Sequence, residues 1–127
     1  MSASPQLSPR ARAWALFCQL TEQLKRIHGL VLRPTSYLRS AAEQKALFDQ
    51  KLTTCDGTTR RSSHQDGRAL DAVLEKDNVT LPLDHPGYDL MGALWLSLDP
   101  MNVWGGSPGW IMPNGKPDKV HLEYRPR

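Results

Sequence analysis

The segment from Arg68 to Leu74 constrains the fold more than any other part of the chain, because its residues alternate in polarity as they do in a β-strand. One face of this strand is aliphatic and is formed by Leu70, Ala72 and Leu74, whereas Asp71 lies on the opposite face. We therefore predict a strand that packs one face against the helical parts of the chain.

Helical patterns occur in three segments. Ser8 and Pro9 favour the start of the first helix, since a serine side chain can cap free amides and proline suits the first helical position, and Gly29 favours its end. Ser40 can cap the second helix in the same way. The third segment is apolar almost all round, which predicts that it is well buried. The predicted helices are residues 9–28, 40–52 and 86–98. The apolar stripe of the first helix is formed by Trp14, Phe17, Thr21, Leu24 and Ile27.

Three more strands are predicted, and two irregular segments separate them from their neighbours. The strands are residues 30–37, 102–106 and 120–124, and the loops are residues 53–61 and 107–119. Pro34 indicates that the first of these strands is short or lies at an edge of the sheet. The pattern as a whole predicts an α+β protein, with helices packed against a small, mainly antiparallel sheet.

The length and composition indicate one ordinary globular domain. A chain of 127 residues can bury one core, and we predict a single domain over residues 1–127. The formal net charge is +3, from basic residues scattered between Arg10 and Arg127. A mildly basic surface suits an anionic polymer such as nucleic acid or a bacterial wall, but it is also common in soluble proteins. Without a basic stripe or a pattern of stacking aromatic residues, a nuclease is disfavoured, and we expect no nucleic-acid partner.

The cysteines and the N-terminus give expectations about the cellular compartment. Cys18 and Cys55 are too few for a disulfide scaffold and lack the spacing of a structural zinc site, so we expect both to be structural residues. The first residues contain no basic segment followed by an apolar core, and no stretch approaches the ~18 apolar residues of a membrane span. We therefore expect a protein that is made in a cytosol and does not insert into the membrane, and we expect it to be a monomer.

Two short segments of the sequence contain residues that can bind a metal. His64 precedes Asp71 by seven residues, and a turn at Gly67 would bring both side chains to one place. Zinc favours imidazole nitrogen and carboxylate oxygen, and catalytic sites have three protein ligands. His121, at the start of the last predicted strand, can be the third ligand. Asp118, three residues before it, is a candidate for the general base and acid that a hydrolase needs.

These residues resemble the pattern of the LAS-type zinc peptidases, which include D-alanyl-D-alanine carboxypeptidases and dipeptidases and the L-alanyl-D-glutamate endopeptidases of bacteriophage lysis systems. The family pattern Ser-x-His-x-x-Gly-x-Ala-x-Asp is matched at every fixed position, by Ser62, His64, Gly67, Ala69 and Asp71. The later Glu/Asp-x-x-His is matched by Asp118 and His121. Two weaker landmarks are Trp104-Gly105-Gly106 and the set Tyr37, Leu38, Arg39, Ser40 and Gln44, which has one inserted residue relative to the family. Ser107 also departs from the family, where an acidic residue often follows the glycine pair.

The resemblance implies a hedgehog/DD-peptidase-like fold with a single zinc site and a role for each matched residue. His64, Asp71 and His121 would be the zinc ligands, and Asp118 the general base and acid. Arg39 would stabilise an oxyanion of the bound peptide or hold its carboxylate, and Ser62 would contact substrate.

The function implied is a zinc-dependent peptidoglycan peptidase, most simply a phage-type endolysin that cleaves the L-alanyl-D-glutamate bond of the stem peptide. Such an enzyme would wait in the host cytoplasm until another protein opens the membrane. One alternative is a D-alanyl-D-alanine carboxypeptidase of the same family, and another is a noncatalytic, zinc-stabilised domain that binds the cell wall.

For four other residues the sequence gives weaker indications of a functional role. Glu123 either orients a metal ligand or lies exposed on an edge strand, and the sequence leaves both open. Trp110 lies in the loop that should face the site, where it could touch substrate. His28 and His85 lack motif partners and are expected to be structural or surface residues.

Overall fold

The structure is a computed structural model that describes residues 7–53 and 55–126, and within them the chain forms three helices and five strands. The helices are α1 (Pro9–His28), α2 (Ala41–Asp49) and α3 (Pro86–Leu98). The strands are β1 (Val31–Ser36), β2 (Ala69–Lys76), β3 (Val79–Thr80), β4 (Asn102–Trp104) and β5 (His121–Tyr124). Residues 1–6, where no secretory signal is predicted, Thr54 in the predicted loop 53–61, and Arg127 lie outside the described residues.

All strand pairs in the sheet are antiparallel, and the order β1-β2-β5-β4 places β2 and β5 inside it, with β3 paired to β2. The register aligns Asp71 of β2 with Ser36 of β1 on one side and with His121 of β5 on the other. These positions meet at one end of the sheet. The predicted α+β class with a small antiparallel sheet is confirmed.

The core lies between one face of the sheet and the helices. Leu70, Ala72 and Leu74 are at most 2% exposed, as the alternating pattern of β2 predicts. Phe17 of α1 stacks on Trp95 of α3, with ring centroids 4.9 Å apart. Because successive side chains of a strand point to opposite faces, Asp71 lies on the face away from this apolar core, where polar chemistry is possible.

The predicted stripe of α1 is wrong in part. Trp14 and Ile27 are 52% and 56% exposed, and the helix buries a face rotated away from them. That face consists of Ala13, Leu16, Phe17, Leu20 and Leu24. Two stripes of helical period overlap in this sequence, and the one with Leu16 and Leu20 places more aliphatic surface in the core than the one with Thr21. Trp14 packs instead on the Tyr37 ring, with centroids 5.4 Å apart.

The bounds of α1 and α3 agree with the prediction, whereas α2 ends at Asp49 instead of near Leu52. The hairpin of β2 and β3 was not predicted. Its turn residues Asp77 and Asn78 have φ of 52° and 64°, which are the left-handed values that a tight two-residue hairpin turn requires and that Asp and Asn tolerate. No helix in the described part of the chain is both long enough and apolar enough to cross a membrane.

Candidate metal centre

The loop that carries His64 is held by its own side chains. The Ser62 hydroxyl accepts a hydrogen bond from the backbone amide of His64 at 3.2 Å, and the Ser62 amide donates to Oε1 of Gln65 at 2.8 Å. Gln65 in turn donates to the Gly57 carbonyl at 3.0 Å. Gly67 has a φ of +68°, so the turn into β2 uses a backbone conformation that favours glycine. Ser62, predicted to contact substrate, is 7% exposed and lies inside this loop network.

A backbone contact orients the His64 ring. Nδ1 of His64 lies 2.9 Å from the carbonyl oxygen of Tyr37, which can only accept, so Nδ1 carries the proton and donates. Nε2 then presents its lone pair to Oδ1 of Asp71, 3.3 Å away. This tautomer is the one that a metal ligand needs.

Asp71 Oδ1 lies between two imidazoles. His121 Nδ1 approaches it at 3.1 Å from the other side, and the three ligand atoms of His64, Asp71 and His121 lie within 4.8 Å of one another. A tetrahedral ion with bonds of about 2.0–2.2 Å separates its ligand atoms by about 3.3–3.5 Å, close to the two measured separations. Lone pairs that converge in this way repel each other unless a proton or a metal cation lies among them. The described residues therefore form a cluster that can hold a metal ion.

Glu123 lies on the inner strand β5 and is 3% exposed. The alternative prediction, that it is an exposed residue of an edge strand, is therefore wrong. Its Oε1 accepts a hydrogen bond from Nε2 of His121 at 2.8 Å, which leaves Nδ1 of that ring to face Asp71. Its Oε2 accepts from Nε of Arg125 at 2.6 Å. Glu123 thus fixes which nitrogen of His121 faces the cluster, as carboxylates commonly do behind metal-binding histidines.

Arg39 holds the second oxygen of Asp71. Its guanidinium donates to Oδ2 of Asp71 at 3.1 Å, to Oε1 of Gln44 at 3.2 Å and to the Ser36 hydroxyl at 3.1 Å. Gln44 is fully buried, and its amide donates to the carbonyl of Cys55 at 3.0 Å. Arg39 is therefore fixed at the edge of the cluster and orients Asp71, a contact that the sequence did not predict.

The backbone of Trp104-Gly105-Gly106 supports Asp118. The Asp118 amide donates to the Gly105 carbonyl at 2.8 Å, and the His121 amide donates to the Asp118 carbonyl at 3.0 Å. A Cβ at Gly105 would clash with the carbonyl oxygen of Asp118, so the close approach of these two segments requires glycine. The Asp118 side chain is half-buried and lies within electrostatic reach of Asp71, His64 and His121.

Burial and the neighbouring charges shift the pKa values of the cluster. Burial raises the pKa of Asp118, and the charge of Asp71 raises it further. Burial alone would raise the pKa of Asp71 and of Glu123, but the hydrogen bonds that His121 makes to both carboxylates, together with that of Arg125 to Glu123, outweigh it: the pKa of Asp71 is held well below its ordinary value and that of Glu123 is lowered to about 2. Burial would lower the pKa of His121, but its bonds to both carboxylates raise it to about 9.

The Trp110 ring packs beside the cluster, against His121. Its ring lies 5.0 Å from that of His121, and the Arg125 guanidinium lies over the indole at 5.6 Å from the ring centroid. Arg125 is itself bound to Glu123, so the loop that contains Trp110 is tied to β5. Trp110 is partly exposed beside the cluster, where the sequence suggested that it could touch substrate.

The remaining predicted residues lie outside the cluster. Nδ1 of His85 accepts a hydrogen bond from the Gly87 amide at 2.9 Å and caps α3, while His28 is exposed near the end of α1. Cys18 and Cys55 are free thiols, Cys18 exposed and Cys55 partly buried.

No protein-family model matches the chain, and a search of curated proteins finds no match. Two imidazole nitrogens and one carboxylate oxygen form a donor set that suits zinc and other divalent transition metals.

Replacing Glu123 with alanine is expected to weaken metal binding by about 10- to 100-fold, because His121 loses the partner that fixes its orientation. Competition with a chromophoric chelator measures this affinity directly. Glu75→Ala, which removes a carboxylate from β2 at a position paired with Arg33, is the control and should leave the affinity unchanged. Equal affinity of both variants would limit Glu123 to a structural role in β5.

Proposed function

We propose that this chain is a zinc-dependent peptidase that cleaves the stem peptides of bacterial peptidoglycan, with the L-alanyl-D-glutamate bond as its target. The observation that carries the proposal is the convergence of His64, Asp71 and His121 at one end of the sheet, with the carboxyl of Asp118 beside them. These are the residues on which the resemblance to LAS-type zinc peptidases rests, and the small antiparallel sheet with its helices is compatible with the fold of that family.

His64, Asp71 and His121 would hold the ion through Nε2, a carboxylate oxygen and Nδ1 respectively. When bound, zinc supplies a Lewis acid that polarises the scissile carbonyl and makes water more acidic. Three protein ligands leave a coordination position open, which is typical of a catalytic rather than a structural zinc site.

Asp118 would accept the proton of the attacking water and return it to the departing amine. A base must be deprotonated before the attack and an acid must hold a proton afterwards, so a carboxyl whose pKa is raised is better suited to both steps than one at the ordinary value. Glu123 is unsuited to this role, because its two oxygens already accept from His121 and Arg125.

Arg39 contributes positive charge at the rim of the cluster. Within the described residues three of its five N–H groups donate to Asp71, Gln44 and Ser36, which fixes the guanidinium in place. A fixed cation next to the reacting carbonyl stabilises developing negative charge without reorganisation. In the proposed enzyme Arg39 therefore both orients a ligand and lies near the substrate.

Digestion of purified peptidoglycan, followed by mass analysis of the fragments, tests the proposal. New L-alanine carboxyl ends are expected. Released D-alanine would instead support a carboxypeptidase of the same family, and an undigested wall that still binds the zinc-loaded protein would support a noncatalytic binding domain. We also propose that the protein acts as an endolysin that waits in the host cytoplasm. Lysis of cells only when a membrane-permeabilising protein is co-expressed would support this role.

A further inference from the structure

Three arginines, one of them from the start of α1, meet at the turn that leads into β2. Arg61 donates to Oδ1 of Asp66 at 2.9 Å, and Arg68 donates to Oδ2 of the same residue at 3.4 Å. Nε of Arg10 donates to the backbone carbonyl oxygen of Asp66 at 3.2 Å. One carboxylate therefore faces three guanidinium groups, and this turn carries an excess of positive charge.

The fold holds these arginines in place while part of each side chain stays in solvent. The Arg10 side chain lies against Gly67, where a Cβ would come within 2.7 Å of its Nε. Glycine at this position therefore makes room for Arg10 as well as allowing the left-handed turn. Arg10 is exposed, and the Arg61 side chain is 55% exposed. Within residues 7–53 and 55–126, the terminal nitrogens of Arg10 and two of the three nitrogens of Arg61 donate to no protein group.

An exposed indole lies one helical turn from Arg10. Trp14 follows Arg10 by four residues on α1, so both lie on one side of the helix. Trp14 is 52% exposed and packs on the Tyr37 ring, with the two ring planes at 51°. The Tyr37 hydroxyl donates to the Gly67 carbonyl at 3.0 Å, which joins the aromatic pair to the same turn as the arginines. We call the four residues Arg10, Trp14, Arg61 and Arg68 the basic surface.

The basic surface adjoins the metal cluster without sharing a residue with it. The loop that ends in this turn carries His64, whose Nδ1 donates to the Tyr37 carbonyl at 2.9 Å. Tyr37 therefore contacts Trp14 with its ring and His64 with its backbone. A polymer held on the basic surface would lie beside the cluster and leave the ligand atoms free.

The chemistry of the basic surface suits a polymer that carries both phosphate groups and sugar rings. Guanidinium groups bind phosphate oxygens through paired hydrogen bonds, and the negative face of an indole attracts the weakly positive C–H groups of a sugar. Single-stranded nucleic acids are bound on several successive aromatic rings, and membrane surfaces by several exposed apolar side chains. Among the residues that the contacts above join to the turn, Trp14 alone is large, apolar and more than half exposed. A single exposed ring among arginines favours an anionic glycan.

We propose that the basic surface binds a phosphate-bearing glycan of the bacterial envelope, with Arg10 and Arg61 on its phosphates and Trp14 on a sugar ring. This inference rests on the proposed function, because a peptidase of peptidoglycan meets such glycans where it acts. Binding of this kind would keep the enzyme beside the insoluble wall while the cluster cuts successive stem peptides. Teichoic acids and phosphorylated lipopolysaccharides both offer this chemistry, and the experiment distinguishes these two sources.

Calorimetric titration of the zinc-loaded protein tests the proposal with two purified probes, a glycosylated wall teichoic acid and the phosphorylated core oligosaccharide of a lipopolysaccharide. Binding of at least one is expected, and it should weaken as salt is added, because exposed charges are screened. Arg10→Gln and Arg61→Gln should each weaken binding by about two- to fivefold, the size of one exposed ion pair. Trp14→Ala should weaken it by about fivefold, the lower end of what stacking on an exposed ring contributes.

Two residues in the last part of α1 provide matched controls. The Arg26 side chain is 64% exposed and Ile27 is 56% exposed, so both resemble the residues under test in exposure. Arg26→Gln and Ile27→Ala should leave the affinity unchanged. Melting temperatures show whether each variant is folded. Trp14→Phe keeps an aromatic ring on Tyr37 and should retain most of the binding, which keeps the test valid if Trp14→Ala is unstable.

Binding of neither glycan, equal losses in the basic-surface and control variants, or tighter binding to an oligothymidylate or to phosphatidylglycerol vesicles would overturn the inference. Cleavage of a soluble muropeptide is measured in parallel. Cleavage by a protein that binds neither glycan would reject this inference alone, whereas glycan binding by a protein that cleaves no muropeptide would reject the peptidase proposal alone.

Discussion

In the proposed peptidase, replacing Asp118 with asparagine should slow stem-peptide cleavage by about 10²- to 10⁴-fold, the usual contribution of general acid–base catalysis. Asparagine keeps the size of the side chain but cannot accept the proton. The backbone bonds that join Asp118 to Gly105 and His121 do not involve the side chain, so the fold should survive. Turnover of a defined muropeptide, together with zinc content and melting temperature, separates loss of the base from loss of the metal or the fold.

The pH profile gives a second measure of the same role. Burial and the charge of Asp71 raise the pKa of Asp118, so the deprotonated base forms at higher pH than for an ordinary aspartate. Cleavage should therefore rise with pH through that raised pKa, and this rise in rate should be absent from the Asp118→Asn protein.

Asp118→Glu restores a carboxyl one methylene longer and should recover part of the activity. Full activity of Asp118→Asn would leave Asp118 as a turn residue. Glu123 is then a poor substitute, because both of its oxygens are occupied.

Part of the cluster could be predicted from sequence because His64 and Asp71 are close in the chain and are joined by a turn at the start of β2. Alternation in β2 places Asp71 opposite the aliphatic face, and Gly67 supplies the left-handed turn that brings His64 back toward it. The third member, His121, was a candidate from its place at the start of the last predicted strand, and the resemblance strengthened it, but no local pattern determines which strand pairs with β2. In the structure the register of β2 with β5 places His121 directly opposite Asp71.

The supporting contacts could not be predicted, because they depend on side chains that meet across distant segments. Gln44 is buried under Arg39, and nothing in its local sequence indicates that α2 buries a glutamine instead of Leu47 or Phe48. Glu123 was ambiguous because burial depends on whether β5 lies inside the sheet, and strand order is not a property of the strand itself. The α1 stripe failed for a similar reason: the predicted and the observed stripes share Phe17 and Leu24, and only tertiary packing decides that Leu16 and Leu20 are buried while Trp14 and Ile27 are exposed.

Removal of a histidine ligand should abolish stoichiometric zinc binding. His64→Ala and His121→Ala each take one of three donors from the cluster, and the affinity should fall by more than the roughly 10- to 100-fold that loss of an outer partner costs. His28→Ala removes an exposed imidazole of α1 and should still bind one zinc per chain. Elemental analysis after dialysis reports the occupancy, and full occupancy of either ligand variant would contradict the assignment.

Chelation should destabilise the unmodified protein, because an ion that binds only the folded chain stabilises it by about 2.7 kcal/mol when free zinc is 100 times its Kd. For a domain of this size that corresponds to roughly 10 °C in melting temperature.

The affinity of the protein for zinc should also depend on pH, and the direction of this dependence follows from the pKa of His121. The pKa of His121 is raised from 6.5 to about 9, so the metal-free protein holds a proton on that ring at neutral pH and must release it when zinc binds at Nδ1. Raising the pH toward 9 should therefore tighten zinc binding. An affinity that stays constant between pH 6 and pH 9 would mean that zinc does not displace the His121 proton, and that His121 is not a ligand.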